Sequence, residues 1–339
     1  MSKPLFKIRE NHKYGFIDAS GEVVIEPQYV EAEDFYNGFS RVRFMDKLVP
    51  LDEHGRLLIR KFYNDIGLFE EHLAKVQLVQ KWGFIDERGR MAIPFQFNEA
   101  GYFSEGLAPV ANGAFGFINY EGEYVIEPQF DGAGEFNSGL AAVMDGEVFG
   151  YIDATGQYII PPLFDHCLPF QENVAVVVRQ GKWGLINKKG KMLLNPQFDF
   201  TEGYTSGEFF EGMTIAVKND QYGFVDQKGN VAIEPQFDFA GDFSGEMALV
   251  EKSGQFGYIN KKGDSVIEPQ FADAGVFSEG FAQVKTGDRW GFIDTQGRTH
   301  IKPLFEEVRP YRNGLAWVNF QGQWAYVDAE GQLVWKEKK

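Results

Sequence analysis

An aromatic ring followed by glycine returns through this chain at a nearly constant interval, and that recurrence limits the fold more than any single residue does. The pair stands at Tyr14-Gly15, Trp82-Gly83, Phe115-Gly116, Phe149-Gly150, Trp183-Gly184, Tyr222-Gly223, Phe256-Gly257 and Trp290-Gly291, with degenerate copies at Leu48-Val49 and Trp324-Ala325. Successive copies lie 34 residues apart, save for one interval of 33 and one of 39. A period in this range belongs to solenoids, propellers and arrays of small repeats that stack into one continuous core. The 339 residues are therefore read as one domain of ten repeats, bounded near 5–38, 39–72, 73–106, 107–139, 140–173, 174–212, 213–246, 247–280, 281–314 and 315–339.

Within a repeat the signals are those of strands. Residues 174–200 alternate short β-branched and aromatic runs with turn residues, which suits three strands and no helix. The first turn carries two-residue hairpin chemistry, as at Gln180-Gly181 and Asn219-Asp220, where positive φ is needed. The second is Asp/Asn-x-x-Gly, as at Asp86 to Gly89 and Asn187 to Gly190; the side chain caps a type I turn and glycine takes the left-handed place. The third strand is expected to end at proline, as in Glu234-Pro235-Gln236-Phe237, because proline cannot donate to a ladder. A connector follows, with a small residue, then Phe and a Ser/Glu/Gly turn, as at Phe277-Ser278-Glu279-Gly280.

These features predict an all-β fold of ten tandem three-stranded antiparallel meanders. The chain opens on a first strand at Leu5–Ile8 and closes on a third strand at Leu333–Trp335, leaving no strand over to seal a ring. Both ends are charged, as the exposed ends of a stack should be. An open superhelical, solenoid-like array is the expected arrangement, and a closed β-propeller-like ring is the alternative. Three rings per repeat are expected in the core: the one before glycine, the one ending Pro-Gln-Phe, and the connector Phe.

At Lys81-Trp82-Gly83-Phe84-Ile85-Asp86, and again at 182–187 and 289–294, the chain resembles the bacterial WG-repeat, or KWG, family. The resemblance extends over the whole chain, because Ile-Glu-Pro-Gln-Phe and Phe-Ser-Glu-Gly elements accompany the dipeptide at constant spacing. It implies a repeat scaffold and brings with it no reaction, cofactor or catalytic residue.

Charge and chemistry narrow the role. The formal charge is −16, which argues against wrapping nucleic acid and leaves a basic protein partner open. Membrane insertion is not expected, since no apolar stretch is long enough to span a bilayer. The N-terminal run carries charges where a secretory signal needs an apolar core, so a cytoplasmic protein is expected. A single cysteine, Cys167, agrees with a reducing compartment. It occupies a connector position held elsewhere by alanine, so a small buried side chain is the expectation there, and His166 beside it gives no metal motif. The ladder Asp18, Asp52, Asp86, Asp153, Asp226, Asp294 and Asp328 is read as turn caps, because Asn119, Asn187 and Asn260 hold the same place. No catalytic, metal-binding or cofactor-binding residue is expected.

The expected function is that of a non-enzymatic scaffold binding another macromolecule, most plausibly a protein. Alternatives are a carbohydrate- or envelope-binding module and an enzyme with a site in a closed ring. The 39-residue interval localises one candidate surface, because its connector is five residues longer than the others and carries Tyr204, Phe209 and Phe210, aromatics suited to an interface anchor.

Overall fold

Residues 3–58, 62–200 and 207–338 are described by a computed structural model of the chain. It is all-β, with ten small antiparallel sheets, one per repeat. The chain divides into two compact units: Met1–Asp18, Glu22–Gln180 and Leu185–Met192 form the first, and Ala19–Gly21, Gly181–Gly184 and Leu193–Lys339 the second.

The third repeat, in the first unit, shows how the sequence makes a sheet. Strands Leu73–Leu78, Lys81–Asp86 and Met91–Phe97 pair in order. The hairpin between the first two turns on Val79 and Gln80, both at positive φ. In the second turn the Asp86 carboxylate accepts the N–H groups of Arg88 and Arg90, at 2.9 and 2.8 Å. Equivalent bonds to Asn119, Asn187 and Asn260 confirm that amide and carboxylate serve the same capping purpose.

Two details differ from the sequence reading. The third strand runs through its proline: Val23–Tyr29 and Val231–Phe237 each include it. Register shifts from Trp82↔Phe97 to Phe84↔Ile93, so the proline segment bulges on the outermost strand, whose outward N–H has no ladder partner to lose. The bulge explains the glycine of the dipeptide. A Cβ on Gly223 would lie 2.4 Å from the Ile233 carbonyl oxygen and 2.6 Å from the Pro235 nitrogen. In the last repeat the third strand, Leu333–Lys336, has no proline, and Ala325 is accommodated opposite Lys336.

The connector, moreover, adds a fourth strand to most sheets. Two-residue strands such as Glu99–Ala100 and Asp273–Ala274 pair with the first strand of the following repeat, placing Ala100 opposite Val110 and Ala274 opposite Val284. Cys167 occupies this place opposite Val177, which accounts for the small-residue requirement.

Sheets bury both faces against their neighbours. One core cluster joins Phe117, Ile126, Phe130 and the connector ring Phe136 of the fourth repeat to Val143 and Ile152 of the fifth. In the second unit Tyr258, Ile267 and the connector ring Phe277 of the eighth repeat meet Val284 and Ile293 of the ninth. No repeat owns a complete core, as expected of stacked units. The connector ring and the ring after glycine meet edge to face, as in Phe84–Phe103 at 5.0 Å and Phe224–Phe243 at 4.8 Å. The ring before glycine, expected in the core, is half-buried at Trp82, Tyr222 and Trp290; Trp183, only 1% exposed, is the exception.

Connector turns are also tied from repeat to repeat. Glu71 accepts the N–H groups of Glu105 and Gly106 at 2.7 and 2.9 Å, and Glu279 those of Asn313 and Gly314 at 2.6 and 2.8 Å. The glycine of each Asp-x-x-Gly turn rests on the repeat before it, as Gly331 does on Ile301. Within the second unit the segment Ala19–Gly21 makes the same kind of contact with the last repeat, where a Cβ on Gly21 would meet the Val334 carbonyl oxygen at 2.4 Å. The expectation of an uncovered end therefore does not hold at Val334.

Candidate functional site

The long connector lies in the second unit and leads into the seventh repeat, strands Met213–Lys218, Gln221–Asp226 and Val231–Phe237. Of the three aromatic residues singled out there, Tyr204 lies outside the described residues. Phe209 is half-buried and takes the place of the connector ring. Phe210 stands where Ser104, Ser244 and Ser278 stand in their repeats; its N–H donates to the Met213 carbonyl at 2.8 Å, and the residue is 37% exposed.

Phe210 forms part of the wall of a cavity of about 720 Å³. The apolar and aromatic lining comes from Phe210, Ile215, Val217, Tyr222 and Phe239, with Ala240 and Gly241 of the next connector strand. Tyr222 and Phe239 are 5.6 Å apart with their planes tilted by 47°. Five carboxylates complete the wall: Asp199, Glu208, Asp220, Asp238 and Asp242.

These acids are not equivalent. Asp199 is paired with Lys182 and accepts the Asn219 N–H, and the lysine bond holds its carboxyl below the usual range. Asp238 accepts the Ser253 N–H at 2.7 Å, closing the hairpin of the eighth repeat. Asp242, half-buried, is pushed up by burial first and by the charge of Glu208 second. Among the described residues no cationic group offsets either effect at Asp242.

Other sequence candidates resolve into structure. Cys167 is buried, and burial pushes its thiol up to about 12, far from the range of a reactive thiolate. Its neighbour Tyr151 donates to the Leu168 carbonyl at 2.6 Å. Among the described residues no group of three His, Cys, Asp or Glu side chains is placed to hold a metal ion. Among them, too, no helix is long and apolar enough to cross a membrane.

Sequence reasoning reached Phe210 and missed Asp242, Tyr222 and Phe239. The available signal was positional: Asp242 precedes the connector ring Phe243, and that position becomes informative only when read with the first-strand residue 27 positions earlier, Ile215.

Fold and repeat define a tandem β-repeat protein. The WG containing repeat matches at residues 14–47, 82–113, 115–147, 149–183, 183–222, 222–255, 256–290 and 290–324, and the chain belongs to that family. No curated protein matches it. A crystal structure of a eukaryotic initiation factor is similar, with a TM-score of 0.55 and 10% identity over 99% of this chain and 96% of that one. Hsv2 of Kluyveromyces lactis gives a TM-score of 0.39 at 9% identity, over 74% of this chain and 93% of that one. The dihydro-heme d1 dehydrogenase NirN gives 0.40 at 11%, over 99% of this chain and 75% of that one. Likeness at such identities concerns the fold alone.

Proposed function

We propose that this chain is a non-enzymatic repeat scaffold that binds a basic protein in the cytoplasm, with the cavity beside the long connector as its docking point. The observation that carries the reading is the coincidence, at one place, of the single long insertion, an exposed Phe210 and a cavity walled by aromatic rings and carboxylates. Insertions in repeat arrays map to surface loops and often to the binding face. Aromatic anchors in a pocket are what an interface hot spot requires. The formal charge of −16 favours encounter with a basic partner.

The test is affinity capture from the native cell with two chains, one intact and one with the connector between Phe200 and Gly207 shortened by the five inserted residues. Both should melt alike, and the shortened chain should lose a partner of basic character. Equal recovery at equal stability would contradict this docking point. A glycan array that retains the intact chain would favour the carbohydrate-binding alternative.

A further inference from the structure

In the first and third repeats two positions meet: a residue of the first strand, and the residue 27 places later, just before the connector ring. In the first repeat these are Lys7 and Asp34, whose Nζ and Oδ1 are 3.3 Å apart. In the third they are Lys75 and Tyr102, with the ammonium 4.2 Å from the ring centroid. In the seventh they are Ile215 and Asp242, both lining the cavity. The carboxylate is kept and its cation is missing.

We propose that this cavity is a site for an organic cation, an alkylammonium group whose head meets the Asp242 carboxylate as the Lys7 ammonium meets Asp34, and whose stem lies along Ile215 and Phe239. The proposal rests on the reading of the cavity as a binding site. Apolar and aromatic walls suit an aliphatic stem and a cation held against ring faces. A hard metal ion calls for six or more oxygen ligands, and among these carboxylates Asp199 is already engaged with Lys182 and Asp238 with a backbone N–H. An ammonium head would also remove the cost of holding Asp242 half-buried near Glu208, which the isolated chain bears as a raised carboxyl pKa.

The ammonium could be carried by a lysine of the protein partner or by a free diamine. Calorimetric titration of the full chain with n-pentylamine, and with n-pentanol as its uncharged isostere, tests the shared chemistry. The amine should bind in the millimolar range or tighter and the alcohol should not. Asp242→Asn should weaken the amine at least about tenfold. Ile215→Lys, which supplies the internal cation found in the first repeat, should abolish amine binding while the melt is kept. Tighter binding of N-acetyl-lysine amide than of cadaverine assigns the site to a protein lysine, and the reverse order to a free diamine.

Equal binding of amine and alcohol, no amine binding at millimolar concentration, or unchanged affinity in either variant would overturn the cation site. Partner capture that depends on connector length would still stand after such a failure, so the two readings fail separately.

Discussion

Lys7 with Asp34 and Ile215 with Asp242 occupy the same two positions of one repeat, yet the first pair is an ion pair and the second is an isoleucine facing a cavity that an unneutralised carboxylate also lines. Ten copies of one design supply their own control. Where copies agree, as at the Asp-x-x-Gly caps, the residues serve the fold; where one copy keeps half of a pair and opens a cavity, the departure points to a ligand.

The largest effect that sharpens this contrast is expected in the core of the sixth repeat, next in sequence to the cavity residue Asp199. Trp183 packs there on Phe198 at 5.1 Å. Trp183→Ala should cost about 3–5 kcal/mol, as large-to-small core changes do. Limited proteolysis should then cut first around the sixth and seventh repeats, because stability in repeat arrays is local. A melt within a degree of wild type would show that the ring carries no packing load.

Next comes the glycine beneath Tyr222. Gly223→Ala should destabilise by about 3 kcal/mol, since the bulged third strand leaves no room for a methyl group. The reciprocal change in the last repeat, Ala325→Gly, should cost about 1 kcal/mol or less. Denaturant titrations of the two variants check this ordering, and equal losses would remove the bulge as the reason for glycine.

A smaller effect separates the two carboxylates by pH. The Asp242 carboxyl is raised in the folded chain, so its contribution to stability is present below the unfolded carboxylate value and is lost as pH rises through the folded one. Asp242→Asn should therefore melt slightly above wild type near pH 7, and the gap should close on acidification. Lys7→Met, by contrast, removes a partner from an Asp34 side chain that is 60% exposed. It should cost at most about 1 kcal/mol. A larger loss than in any core variant would overturn the ranking of the two sites.

Much of the fold was legible because each repeat states it again. Ring-glycine pairs, Asp or Asn four residues after the ring, and glycine three residues later place two turns and three strands without reference to partners. The two-residue connector strand was not legible, since its pairing depends on the next repeat and its only mark is a small residue such as Ala100 or Cys167. Proline was misplaced to a strand end because a bulge on an outer strand tolerates it, and a bulge is a property of register. The half-buried state of Tyr222 and Trp290 was hidden for the same reason, since hydrophobicity alone does not tell which ring faces a neighbouring sheet. Of the candidate site, Phe210 was visible from the long interval. Asp242 was not, because an aspartate is ordinary until the lysine of a sister repeat is seen to be absent.

The central claim is that Asp242 faces the cavity without a cation and that Ile215 marks where the cation belongs. Carboxyl carbon NMR titration of Asp242, in the intact chain and in Ile215→Lys, tests it most directly. The account predicts an Asp242 midpoint above the ordinary carboxylate value in the intact chain and below it once lysine stands at 215. An ordinary midpoint in the intact chain, or one that the lysine does not move, would contradict it.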